Sequence, residues 1–218
     1  MLRFKHFVTL LLLAITLPSM AQSTYWFQRK TLFDQLPVNS NDIIFLGNSI
    51  TDGGEWCELF GMLNVKNRGI SGDIVNNVRK RLEQVTKGHP AKIFLLIGIN
   101  DVSHKGETVE SIAANYEKLV DEIMAQTPGT KLYIQSVFPV KESYNIFKGL
   151  NGRGYMVKPL NEKIKQIAKK RGLTYIDLYK VLQGPDGNLS DEYTNDGLHL
   201  TGPGYKAWVE AVSKYVKE

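Results

Sequence analysis

The chain has 218 residues, 43% hydrophobic and 22% charged, proportions that exclude a collagen-like or disordered chain and suit one globular domain rather than two. The formal net charge of +5 is small. Its basic residues gather mainly at 163–165 and 169–171, as on a solvated helix face, so composition argues against a nucleic-acid partner.

The first 21 residues read as a leader. Arg3, Lys5 and His6 precede an apolar run over 7–17 broken only by Thr9 and Thr16, and Pro18 ends it. Small residues at Ser19 and Ala21 fit a signal-peptidase site, with cleavage expected before Gln22. The run is too short for a comfortable membrane span, which needs roughly 20 apolar residues. No cysteine follows the cleavage site to carry a lipid, and no later segment is apolar enough to cross a bilayer. The expected product is a periplasmic or secreted domain over 22–218. The single cysteine, Cys57, cannot form an internal disulfide. It sits among acidic neighbours that disfavour a thiolate, so a buried packing role is expected.

Helical spacing of apolar residues over 25–36, ended by Pro37, predicts an N-terminal helix. Residues 42–47 form an apolar run closing on Gly47, expected as a buried strand entering a tight turn. A short strand around Val65 precedes a helix over 73–86. A strand over 92–97 precedes a helix over 108–125, and one over 131–137 is followed by a helix over 160–170. A strand over 173–178 and a closing helix over 204–216 complete the chain. Strands alternating with helices, and central strands apolar on both faces, indicate a largely parallel sheet covered on both sides. The expected fold is a three-layer α/β/α sandwich, with a flavodoxin-like five-stranded sheet and the first strand central. The longest irregular stretch, 138–154, carries Lys141, Tyr144, Phe147 and Arg153. A long loop after a strand lies at the functional edge of such a sheet, so Tyr144, Phe147 and Arg153 are candidates for a substrate-side wall.

Four short segments carry chemistry. Ser49, directly after the first strand, either presents its hydroxyl at the sheet edge or caps the next helix. Gly72, in Ser71-Gly72-Asp73, can bring a bare backbone N–H close to a ligand, or can simply serve a loop. Asn100 can aim its amide at a developing oxyanion or form an Asx turn. Asp196 and His199 lie three residues apart, so that one turn presents a carboxylate and an imidazole. His89, before a proline, and His104, after the third strand, are rival bases. The first three segments follow consecutive strands and so lie along one sheet edge, where ligands bind in open α/β sheets.

Taken together these segments resemble the SGNH hydrolase superfamily, also called GDSL-type esterases. The resemblance runs from Ile43 to about Trp208. It implies that Ser49 is the nucleophile, that Gly72 and Asn100 join the Ser49 N–H in an oxyanion hole, and that Asp196 and His199 form the charge-stabilised base. The segment 200–205 is similar to the subgroup containing platelet-activating-factor acetylhydrolases and carbohydrate O-acetylesterases. One departure stands out: Asn48 occupies the place of the aspartate that gives the family its name. The resemblance implies an exported serine esterase acting on a short-chain, acetyl-type ester, with O-acetyl groups on carbohydrate as the expected substrate. Alternatives are a lysophospholipase- or thioesterase-type acyl hydrolase and a non-catalytic glycan-binding protein on the same fold. Tyr144 and Phe147 could stack on a sugar ring or pack the loop down. No metal-ligand spacing or nucleotide fingerprint is present, so no metal and no cofactor is expected.

Overall fold

A computed structural model describes residues 20–218, with side chains from residue 24 onward. Of the expected leader over 1–21, residues 1–19 lie outside the described residues, and the last two positions fall in the first helix.

Five strands, β1 (Ile43–Gly47), β2 (Val65–Gly69), β3 (Lys92–Leu96), β4 (Lys131–Gln135) and β5 (Thr174–Ile176), form one parallel sheet in the order β2-β1-β3-β4-β5. This is the flavodoxin-like order expected of the sequence. β1 is interior, but the middle strand is β3, because two further strands add on one side only. The helices in chain order are α1 (Met20–Gln35), α2 (Ser49–Asp52), α3 (Trp56–Phe60), α4 (Val75–Lys80), α5 (Glu83–Thr86), α6 (Ile99–Ser103), α7 (Val109–Gln126), α8 (Val157–Lys170), α9 (Leu178–Leu182) and α10 (Gly202–Lys217). Buried β1 and β3 side chains account for the continuous apolar runs read in the sequence.

The core is built across the strands. Phe45, Phe94 and Tyr133 hold matching positions on β1, β3 and β4. Their rings stack at 4.9 and 4.6 Å, and Trp56 stacks on Phe45 at 3.9 Å. Trp208 of α10 meets Trp56 and Phe138 edge-on at 4.6 and 4.9 Å, and its indole N–H donates to Gln135 at 2.7 Å. Aromatic packing of this kind combines large apolar burial with fixed geometry. Trp208 thereby fixes α10, whose entrance carries the segment with Asp196 and His199.

Two expectations need correction. The single helix expected over 73–86 is broken into α4 and α5, because Arg81 turns its guanidinium inward. Arg81 is 1% exposed. It donates to Asp73 at 2.7 Å and to the Gly47 and Arg68 carbonyls at 3.0 Å, and its backbone leaves the helical region at φ −119°. Cys57 is partly exposed rather than buried. Its neighbour Trp56 takes the core position on the short helix α3 instead.

Helix α1 is anchored differently from the others. Phe33 is the one buried apolar residue among its described side chains, lying under the guanidinium groups of Arg29 and Arg68 at 4.6 and 4.8 Å. Phe27 is 63% exposed and Leu32 45%. A cleft of about 610 Å³ separates part of α1 from α4 and α5.

If Trp208 locks α10 to the sheet, Trp208→Ala should destabilise the protein by about 3–5 kcal/mol, the usual range for emptying a buried aromatic site. Urea unfolding would read this; a loss below about 1 kcal/mol would show that α10 is held elsewhere.

Candidate active site

The carboxyl ends of the first three strands are level: Gly47 pairs with Gly69 on one side and Leu96 on the other. Gly47 has no room for a side chain, since a Cβ there would lie 2.2 Å from the Leu96 carbonyl and 2.3 Å from Thr51 Oγ1. This close approach lets the chain turn sharply into α2. The cap of α2 is Asn48, whose Oδ1 accepts from the Ile50 N–H at 3.1 Å. Asn48 is fully buried and performs the capping that an aspartate could perform there. Ser49 is therefore not the cap, and its hydroxyl is free for another partner.

That partner is His199. Nε2 of His199 lies 2.9 Å from Ser49 Oγ, and Nδ1 lies 2.7 Å from Asp196 Oδ2. The other carboxylate oxygen, Oδ1, accepts from the N–H groups of Leu198 and His199 at 2.8 and 2.7 Å. Burial opposes ionisation of Asp196, but the bonds from the His199 ring and from these two amides outweigh it and hold the carboxyl below its ordinary value. A carboxylate fixed in this way orients the imidazole and stabilises its protonated form. Gly197, between the two, sits at φ +84°, and a Cβ there would meet the Lys141 carbonyl at 2.3 Å. The turn thus requires glycine and packs directly on the loop 138–154.

Gly72 has φ +83°, a left-handed conformation natural to glycine. Its neighbour Asp73 accepts, through its backbone carbonyl, a hydrogen bond from Asn100 Nδ2 at 2.9 Å. Asn100 opens α6, just past the positive-φ Gly98. One amide hydrogen of Asn100 is thereby fixed on Asp73, and the segments carrying Gly72 and Asn100 are tied together. Ser71, on the other side of Gly72, is bound through its N–H and hydroxyl to Asp52 at 3.1 and 2.9 Å.

The rival histidines lie elsewhere. His89 precedes β3, at the amino end of the sheet. His104 gives Nδ1 to the Asn100 carbonyl at 2.6 Å and is exposed.

The three candidates on the loop 138–154 divide. Phe147 meets the His199 ring edge-on at 5.2 Å. The Tyr144 hydroxyl donates to Asp191 at 3.1 Å, and Lys141 binds the same carboxylate at 2.6 Å. Arg153 is engaged within the protein: its Nε and Nη2 donate to the Val102 and Glu107 carbonyls at 2.5 and 2.7 Å, tethering the loop to the α6 side. Among the described residues no group of three or more His, Cys, Asp or Glu side chains is arranged to hold a metal ion, and no helix is long and apolar enough to cross a membrane.

Sequence reasoning did not single out Asp52, Arg81, Asp101 or Trp26. A signal for Arg81 exists, since it falls in helical register with Ile74, Val78 and Val85 on the apolar face. Nothing local marks Trp26, which reaches Asp73 from 47 residues away.

A serine, an imidazole and a carboxylate in hydrogen-bonded series, on a parallel α/β/α sandwich, define a class of serine-type hydrolases. Residues 45–207 match the model of the GDSL-like lipase/acylhydrolase family, and the chain belongs to that family, within the SGNH hydrolase superfamily; it is a hydrolase of the esterase and acylhydrolase type. It is 29% identical over 171 residues to the platelet-activating factor acetylhydrolase IB subunit alpha2 of Rattus norvegicus, covering 75% of this chain and 71% of the relative. A solved Streptococcus pneumonia protein named for platelet activating factor superposes with TM-score 0.78 at 28% identity, covering 89% of this chain and 92% of its own. An acetylxylan esterase from Geobacillus stearothermophilus shares the fold with TM-score 0.63 at 19% identity, covering 82% and 94%.

Asp101 follows the proposed oxyanion residue and is 5% exposed. Its two oxygens accept from the Val75 N–H at 3.1 and 3.2 Å, capping α4. Burial pushes its carboxyl from 3.8 up to about 7, against the backbone hydrogen bonds. A carboxyl raised on folding contributes stability that is fully present below its unfolded value and is lost as pH rises through about 7. The rise corresponds to about 4 kcal/mol at most. Asp101→Asn keeps an acceptor for Val75 without the charge. It should gain about 2–4 kcal/mol over wild type at pH 8 and under about 1 kcal/mol at pH 4. Urea melts at the two pH values would show this, and an equal gain at both would refute the assignment.

Proposed function

We propose that the protein is an exported serine esterase that removes short acyl groups, acetyl above all, from carbohydrate through a Ser49 acyl-enzyme. The observation that carries this reading is the unbroken chain from Ser49 Oγ to His199 Nε2 at 2.9 Å and from His199 Nδ1 to Asp196 at 2.7 Å. A serine hydroxyl is a weak nucleophile until an adjacent base accepts its proton.

In this mechanism His199 takes the Ser49 proton as Oγ attacks the ester carbonyl. Asp196 holds the ring in one tautomer and stabilises the imidazolium. The oxyanion is received by the N–H groups of Ser49 and Gly72 and by Asn100 Nδ2; each such donor typically supplies about 2.7–4 kcal/mol of transition-state stabilisation. His199 then protonates the departing alcohol. Water, deprotonated by the same ring, releases the acyl group and restores Ser49.

Three features support the substrate side. The leader-like first 21 residues, ahead of a mature domain over 22–218, favour an extracytoplasmic substrate. A name shared by relatives, platelet-activating factor acetylhydrolase, points to acetyl. Phe147, packed on the His199 ring, is an aromatic wall of the kind that stacks on a sugar face.

With an acetyl chromogenic ester, Ser49→Ala and His199→Ala should each lower kcat by at least about 10³-fold, while His104→Ala stays within about threefold of wild type. Retained turnover in Ser49→Ala would remove the nucleophile from the proposal. In a panel of acetylated sugars, wild type should release acetate and should prefer acetyl over octanoyl esters. A preference for octanoyl would redirect the substrate to longer acyl chains.

A further inference from the structure

The oxyanion-hole glycine is flanked by Ser71 and Asp73, and each flank is tied by a carboxylate to the same turn of α1. On one side, Asp52 Oδ2 accepts from the Ser71 N–H and hydroxyl and from the Tyr25 hydroxyl at 2.6 Å, while Arg29 lies 3.2 Å from Oδ1. On the other side, the fully buried Asp73 accepts from Arg81 at Oδ2 and from the Trp26 indole N–H at Oδ1, both at 2.7 Å. Trp26 is the partner of Oδ1, so it fixes the rotation of this carboxylate. The backbone carbonyl of Asp73 in turn holds Asn100.

We infer that α1 is part of the catalytic apparatus, with Trp26 as a positioning residue that sets Gly72 and Asn100 through Asp73. This rests on the serine-esterase reading above. The physical reason lies in how α1 is attached. Among its described residues this helix buries one apolar side chain and leaves Phe27 and Leu32 in solvent; Gln84 holds its C-terminal half through the Lys30 carbonyl and Asp34, and Tyr25, Trp26 and Arg29 hold its N-terminal half. Those three residues end on the two carboxylates that bracket the oxyanion glycine. Oxyanion donors act through preorganisation, and a small misplacement lowers the rate without weakening ground-state binding. Trp26 touches neither substrate nor reacting atoms, so its effect should fall on kcat and spare KM.

The test uses the full mature enzyme with an acetyl ester, together with a phenylboronic acid as transition-state mimic. Ser49 Oγ adds to boron, the serine proton passes to His199, and the resulting tetrahedral boronate directs an oxygen at the oxyanion donors. Trp26→Phe keeps an aromatic ring and deletes the indole N–H. It should lower kcat about tenfold, leave KM within about twofold, and raise the boronate Kd by a factor matching the loss in kcat. Tyr25→Phe, which removes one surface hydroxyl and is safe for folding, should lower kcat about threefold in the same pattern. Phe27→Ala, on the exposed side of the same helix, should leave both constants unchanged. Should Trp26→Phe fail to fold, Tyr25→Phe decides alone. Wild-type kcat in these variants overturns the inference, as does a loss confined to KM or one that leaves boronate affinity untouched. Serine dependence is measured in parallel, and wild-type turnover that survives Ser49→Ala sinks the proposed function itself, and this inference with it.

Discussion

The buried ion pair between Asp73 and Arg81 is the contact on which the rest of the molecule depends. Both side chains are wholly excluded from solvent. Burial pushes the Asp73 carboxyl up from its ordinary value, against the pull of Arg81 and of the Trp26 indole. Removing one partner of such a pair strands the other charge, at a typical cost of about 3–5 kcal/mol. The pair also closes a circuit. Arg81 grips the carbonyls of Gly47 and Arg68, near the ends of β1 and β2, while Asp73 grips Asn100 beyond β3. Three strand ends are thus joined through the Arg81, Asp73 and Asn100 side chains and the Asp73 backbone carbonyl.

Two glycines make that junction possible in different ways. Gly47 allows close approach, because its neighbours fill the space a Cβ would need. Gly72 adopts a backbone angle that side chains resist. On the opposite wall the histidine turn leans on the loop 138–154, with the Lys141 N–H donating to the Gly197 carbonyl at 2.8 Å. The proposed base and the proposed substrate wall are therefore mechanically continuous, and the tether of Arg153 extends that continuity to α6.

Much of this was legible in the sequence, and the reason is local periodicity. The apolar runs before Gly47 and over 92–97 mark buried parallel strands, and the strand-end positions of Ser49, Gly72 and Asn100 follow from chain order alone. What stayed hidden depends on contacts between distant segments. Arg81 looks like a surface residue on a helix until its carboxylate partner and two carbonyls are seen. Arg153 reads equally well as a substrate ligand or as a tether, because hydrogen bonding to backbone carbonyls leaves no mark on residue type. The role of α1 is hidden for the same reason: Trp26 and Tyr25 reach Asp73 and Asp52 across 47 and 27 residues.

The placement of the tryptophans has a spectroscopic consequence. Of the three in the chain, Trp56 and Trp208 lie 4.6 Å apart inside the apolar core, where emission is blue-shifted and little affected by events at the surface. Trp26 alone stands half-buried against a carboxylate. The red edge of the intrinsic fluorescence therefore belongs to α1, and the unlabelled protein carries its own optical gauge of whether that helix is seated against Asp73.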